Sequence, residues 1–223
     1  RRLDNAATIF PATSGKRDPR VFRFSCELKE LVQEEVLQEA LEETMQAYPG
    51  FRVVMRKGLF WHYLEKSDLV PQVHREDRPP CMKLYVRDKK GLLFEVTYFE
   101  NRINFEVFHA LTDGTGAMEF LKELVKNYLY RVHPDLDASV ALRAADITQA
   151  DKELDGFSHY YSGDLVEGKK EKVHSFQIKG VRAGYGNMKL REGVVSVAEL
   201  LKKSREYGAV SYTHQTLPTT RRV

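Results

Sequence analysis

The chain carries a histidine, an aspartate and a glycine in the order His109-x-x-x-Asp113-Gly114. An imidazole titrates near neutral pH, so His109 has the chemistry of a general base that takes a proton from a hydroxyl or an amine. His and Asp together invite comparison with a Ser-His-Asp triad. Four residues along a strand-to-turn path do not by themselves bring a carboxylate onto an imidazole, however. A plainer reading also fits the same residues: a histidine that ends a strand and bonds a carbonyl, followed by an ordinary turn glycine.

The flanking elements decide where these groups would stand. Ile103, Phe105, Val107 and His109 alternate with Asn104, Glu106 and Phe108, the period of a strand with one buried face. His109 falls on the apolar side at the strand's end, before a turn at 112–114. Ala117, Phe120, Leu121, Leu124, Val125 and Tyr128 then recur at helical spacing up to about residues 131–134. Strand, polar turn and amphipathic helix therefore surround the motif.

Before it, residues 1–19 read as irregular and 21–28 as a strand, with Phe22, Phe24, Cys26 and Leu28 on one face. Residues 32–48 follow as a helix stopped by Pro49-Gly50. Residues 52–57 and 59–65 predict a hairpin around Lys57-Gly58, 71–80 a polar connector, and 82–87 with 92–100 a second hairpin. A third turn at 100–102 leads into the His109 strand. Short turns between consecutive strands predict antiparallel neighbours, hence a mixed or antiparallel sheet. Residues 135–168 lose periodicity and read as a crossing linker; 173–178 and 188–195 look like strands. Ser196 to Glu199 is a capping-box pattern opening a helix over 197–207, closed by Gly208. A strand followed by a helix thus occurs twice, at 21–48 and again at 188–207.

Composition narrows the classes. The 223 residues are 42% hydrophobic and 30% charged, with a net charge of +3 from interspersed signs, as in ordinary globular proteins. No basic stripe with interleaved aromatics appears, which argues against nucleic acid. No apolar run is long enough to span a membrane and no signal peptide is visible, so a cytoplasmic protein is expected. Cys26 and Cys81 lie far apart without metal spacing, and no adjacent base marks either as a nucleophile. His62, His74, His133, His159 and His174 are likewise isolated, so no metal is expected. The glycine-rich 180–186 is not of the Walker or Rossmann phosphate-loop type.

The motif in this setting resembles the His-x-x-x-Asp-Gly signature of the chloramphenicol acetyltransferase-like superfamily, which includes condensation domains and acyl-CoA acyltransferases. Leu3-Asp4-Asn5-Ala6-Ala7-Thr8-Ile9-Phe10-Pro11, together with Phe51, Gly58-Leu59-Phe60-Trp61 and Tyr63, is similar to bacterial alcohol acetyltransferase-like proteins. Condensation domains usually have a second His directly before the motif His, where this chain has Phe108. That departure favours an acyl-CoA-dependent enzyme.

The resemblance implies an α+β, α/β-sandwich fold whose mixed, largely antiparallel sheet is flanked by helices. It implies transfer of an acetyl or other acyl group from acyl-CoA, as co-substrate, to an alcohol or amine. His109 would be the base, and Asp113 a structural carboxylate that pairs with an Arg, for which Arg2, Arg20 and Arg23 are candidates. Gly114 would permit the turn, and Trp61, Tyr63 and Phe108 are candidates for a substrate channel. The alternative is a non-catalytic or condensation-type relative that binds an acyl ligand or a carrier protein. The superfamily fold is a pseudo-dimer with its tunnel between the halves. The expected division is an N-terminal half at 1–134, a crossover linker at 135–168 and the start of a C-terminal half at 169–209. Residues 210–223 resemble translated sequencing-adaptor read-through, so they are set aside as a non-native tail. The second half is then expected to be truncated, and the fragment alone inactive and poorly soluble, with an apolar inter-half face exposed.

Overall fold

The computed structural model describes residues 3, 7–16, 18–59, 61–86, 89–135, 180–181, 184 and 193–206. The chain divides into two compact units, Arg1–Asp164 and Leu165–Val223. The expected linker at 135–168, the strands at 173–178 and 188–195 and the tail at 210–223 lie almost wholly outside the described residues.

In the first unit, helix α1 (Ile9–Thr13) precedes strand β1 (Val21–Glu27) and helix α2 (Glu34–Ala47). A single 3-10 turn at Pro49–Phe51 leads to β2 (Val53–Lys57) and β3 (His62–Lys66), then β4 (Val73–Arg75), β5 (Phe94–Phe99), β6 (Arg102–Phe108) and α3 (Gly114–Val132). The main sheet has the order β1-β6-β5-β4, and β2 with β3 forms a separate two-stranded ribbon. β6 runs antiparallel to both β1 and β5, while β4 joins β5 in parallel. This is the mixed, largely antiparallel sheet with flanking helices that the turn lengths predict.

Three sequence readings change. α1 forms inside a stretch read as irregular, and β4 inside the expected connector. Residues 82–86 form no strand: β5 starts only at Phe94, and Leu92 contributes a lone bridge to Val54. The tight turn before β6 is present, with Glu100 in the left-handed region at φ 53°.

A further difference shapes the site. Both faces of β6 are buried, not one. Ile103, Phe105 and Val107 face α2 and α3; Phe105 stacks on Phe120 with ring centroids 4.7 Å apart, and Phe51 and Phe94 close the same cluster. Asn127 Nδ2 donates to Thr44 Oγ1 at 3.0 Å and ties the two helices together. The other face carries charge. Arg23 on β1 meets Glu106 Oε1 at 2.6 Å and Glu76 Oε1 at 2.6 Å, Arg102 meets Glu76 Oε2 at 3.0 Å, and Arg78 pairs with Glu95. Ser25 Oγ donates to Asn104 Oδ1 at 2.9 Å, and Asn104 Nδ2 reaches Thr97 Oγ1 at 3.3 Å. An ion-paired layer of this kind keeps polar side chains in a core because each charge has an opposite partner.

In the second unit, helix α4 (Val197–Glu206) begins where the capping pattern predicts: Ser196 Oγ accepts the Glu199 N–H at 3.4 Å. No helix among the described residues is long and apolar enough to cross a membrane.

Candidate functional site

His109 lies one residue beyond β6, and its backbone N–H donates to the Arg20 carbonyl at 2.9 Å, which continues the β1–β6 pairing. Its side chain keeps to the helix-facing side, as the alternation requires. The ring is half-buried, stacked on Phe10 at 4.3 Å with planes 9° apart and flanked by Phe22 at 4.9 Å with planes 60° apart. Nδ1 is buried and has no hydrogen-bond partner. An incoming hydroxyl or amine is therefore left with Nε2. Histidine bases are commonly oriented by a carbonyl or carboxylate on the other nitrogen. At His109 two aromatic rings take that place.

No hydrogen bond joins Asp113 to the imidazole. Its Oδ1 accepts the Gly116 N–H at 2.8 Å, making Asp113 the N-cap of α3. The carboxylate thus satisfies one of the helix's free amides and complements the positive end of the helix dipole. Among the described residues no arginine pairs with it. Arg20 is 3.4 Å from Asp18, Arg23 is committed to Glu76 and Glu106, and Arg2 lies outside the described residues.

The need for glycine sits two residues later than expected. Gly114 is the first helical residue, its φ is outside the left-handed region, and an added Cβ would meet only Phe24 Cζ at 3.9 Å. At Gly116 an added Cβ would lie 2.2 Å from Thr112 Oγ1. The tight approach belongs to the helix's first turn packing back on Thr112, not to the turn itself.

The three channel candidates separate. Phe108 is fully buried and stacks on Tyr85 with centroids 5.5 Å apart, so it is a core residue on the charged side of the sheet and no channel wall. Trp61 is 56% exposed in the β2–β3 turn, where its carbonyl accepts the Gly58 N–H at 2.7 Å. Tyr63 is half-buried within β3, opposite Arg56.

Neither cysteine has nucleophilic character. Burial raises the Cys26 thiol above its ordinary value; burial and the neighbouring Glu106 push Cys81 up to about 11, where thiolate is scarce at neutral pH. Sequence reasoning missed the charged layer beside Phe108. Burial would lower Arg23, but its bonds to Glu76 and Glu106 hold it above its ordinary value. Burial would likewise raise Glu76, and Arg23 and Arg102 outweigh it, leaving that carboxyl below the usual range. Glu95 goes the other way: burial and the adjacent Glu106 raise it against the pull of Arg78. Glu106 Oε2, buried with no donor, faces that shared arrangement.

The chain matches no protein-family model and no curated protein. Among solved structures it is similar to the starter condensation domain of rhizomide synthetase RzmA, with 12% identity and a TM-score of 0.49, over 61% of this chain and 39% of that one. It is also similar to polyketide synthase associated protein 5 from Mycobacterium tuberculosis, with 17% identity and a TM-score of 0.46, over 59% of this chain and 33% of that one. A variant of the rhizomide domain in complex with C8-CoA matches at 11% identity and a TM-score of 0.49, over 59% and 36%. The chain thus spans well under two thirds of the length of the structures it matches.

Proposed function

We propose that this chain is the histidine-bearing part of an acyl-CoA-dependent acyltransferase of the chloramphenicol acetyltransferase-like superfamily. In this reading Nε2 of His109 takes the proton of an alcohol or amine as its oxygen or nitrogen attacks the thioester carbonyl. The adduct then collapses, the C–S bond breaks and Nε2 hands its proton to the departing sulfur, so that CoA leaves as the free thiol and the imidazole is neutral again. Asp113 serves by capping α3 and so fixing the turn that follows the base. The observation that carries the reading is positional: His109 ends a central strand with one nitrogen sealed and the other left for an acceptor.

The test is thiol release from acetyl-CoA and longer acyl-CoAs with a panel of alcohols and amines. It is run on protein with its second half in place, because the resemblance puts the tunnel between halves. Removing the base in His109→Gln is expected to cost about a hundred- to ten-thousand-fold in turnover. Unchanged turnover would remove His109 from the mechanism.

One observation favours a second reading, a non-catalytic relative that binds an acyl ligand. No acceptor stands ready for a proton on Nδ1, so the neutral tautomer with Nε2 free to accept, like the doubly protonated ring, has one unsatisfied buried donor. Acyl-CoA binding without thiol release, undiminished in His109→Gln, is the outcome that selects it.

A further inference from the structure

Phe10 lies flat on the His109 ring at 4.3 Å, and the chain between them is folded to hold it there. The Phe10 N–H donates to the Ala7 carbonyl at 3.2 Å and the Ser14 N–H to the Phe10 carbonyl at 2.9 Å. The Gly15 N–H reaches the Asp18 carbonyl at 2.9 Å, and Ser14 Oγ the Pro19 carbonyl at 3.2 Å. The strap then turns through Arg20, whose φ of 59° is left-handed. That conformation is costly for a side chain of this size and is held by Asp18, whose Oδ1 accepts the Arg20 N–H at 3.3 Å. Arg20 in turn offers its carbonyl to the His109 N–H at 2.9 Å.

Residues 7–16 and 18–22 therefore fix the backbone of His109 through Arg20 and hold its ring through Phe10 and Phe22. Without those walls the imidazole would turn easily, because the histidine χ2 well is broad. No hydrogen bond to Nδ1 would oppose the turning.

We infer that Phe10 is a positioning residue for His109: its flat face, held by the strap, keeps Nδ1 covered and presents Nε2. The inference rests on the reading of His109 as the base for its meaning in catalysis, but the clamp itself is measurable without turnover.

The experiment is carbethoxylation of the 223-residue chain by diethyl pyrocarbonate, with the rate at each histidine followed by peptide mass spectrometry. Wild type is compared with Phe10→Ala, Phe10→Leu and Phe10→Tyr; the Leu variant keeps apolar bulk without a flat face and decides the matter where Ala fails to fold. His74, with a side chain 43% exposed, is the internal standard. Wild-type His109 should be carbethoxylated once, at the presented Nε2. Losing one aromatic pair of ordinary strength should raise the doubly modified His109 ring, which needs Nδ1 as well, about two- to tenfold in the Leu and Ala variants, with His74 unmoved. Phe10→Tyr should restore the wild-type pattern. A doubly modified His109 ring in wild type as frequent as that of His74, a yield unmoved in the Leu variant, or a Tyr variant that behaves like Leu would each overturn the clamp. In protein with its second half in place, Phe10→Leu should lower kcat and leave KM unchanged; a rise in KM alone would make Phe10 a substrate contact and overturn the positioning role. Loss of the base role in His109→Gln assays would leave the carbethoxylation result standing, so the two failures are distinct.

Discussion

Arg23 and Glu106 are directly opposite in the β1–β6 ladder, and Nε and Nη2 of the guanidinium both close on Glu106 Oε1 at 2.6 Å. Glu106 is 1% exposed, so this pair closes inside the sheet's second face, away from water. Arg23→Met leaves the Glu106 carboxyl, and Glu76 beside it, without their main partner. Breaking a buried pair from one side costs about 3–5 kcal/mol, measurable by urea unfolding. Adding Glu106→Gln should return part of the loss. A single variant as stable as wild type would mean that water reaches Glu106.

The same layer sets a pH dependence of two opposite signs. Glu76 is held below its unfolded value, so its contribution is complete above about pH 4.3 and is lost as pH falls through its folded value. Glu95 is raised, so its contribution is complete below about pH 4.3 and declines as pH rises from there toward its folded value. Urea midpoints should therefore fall on the acid side in wild type. In Glu95→Gln the decline with rising pH should be absent while the acid limb remains. An identical profile for that variant would show that burial does not hold the Glu95 carboxyl above its ordinary value.

At the start of α3 the roles of three neighbours separate by substitution. Asp113→Ala should cost about 0.5–2 kcal/mol as a lost cap, whereas Asp113→Asn should retain most of the stability. A large loss in the Asn variant would point instead to an ion pair. Gly114→Ala should be neutral or slightly stabilising, since its φ is outside the left-handed region and an added Cβ meets only Phe24 Cζ at 3.9 Å. Gly116→Ala should destabilise, because Thr112 Oγ1 stands 2.2 Å from the new Cβ, and Thr112→Ala in the same chain should relieve it. Thermal melts of the five variants check the order.

Trp61 and Phe108 differ as much in consequence as in exposure. Phe108→Ala empties a fully buried site and should cost about 3–5 kcal/mol. Trp61→Ala, at an exposed turn, should stay within about 0.5 kcal/mol. A change in acyl-chain preference without a change in stability in Trp61→Ala would keep that residue as a channel candidate; Phe108 has no such route.

Much of the fold was legible in residue spacing. The i, i+3, i+4 pattern located α2 and α3 to within a few residues, and alternation with the Glu100–Asn101 turn located the β5–β6 hairpin. The motif's strand–turn–helix setting was readable for the same reason: each element has its own period. The second face of β6 was not. Asn104 and Glu106 alternate with apolar residues just as a solvent-facing row would, and a polar letter does not say whether water or an arginine answers it. The answering groups are remote in sequence: Arg23 on β1 and Glu76 just past β4, in a segment whose prolines read as a connector. β4 itself is only three residues long and pairs with β5 in parallel, which leaves no local signature. At the site, the order of His109, Asp113 and Gly114 was visible, but the glycine requirement at 116 depends on where the Thr112 hydroxyl points. Phe10 sits beside Pro11 in a five-residue helix too short for any periodicity to betray it.

The pairing of Val21 with Phe108 and of Glu27 with Arg102 has a cost in time. On the ribosome, β1 is made first and its only ladder partner among the described residues is β6, some eighty residues later in the chain. At about 5–20 residues per second, β1 waits roughly 4–16 s with its hydrogen-bonding edges unpaired and Phe22 and Phe24 uncovered. During that interval the nascent segment is a substrate for holdase chaperones, and slowing translation just upstream of β6 should lengthen their association with it.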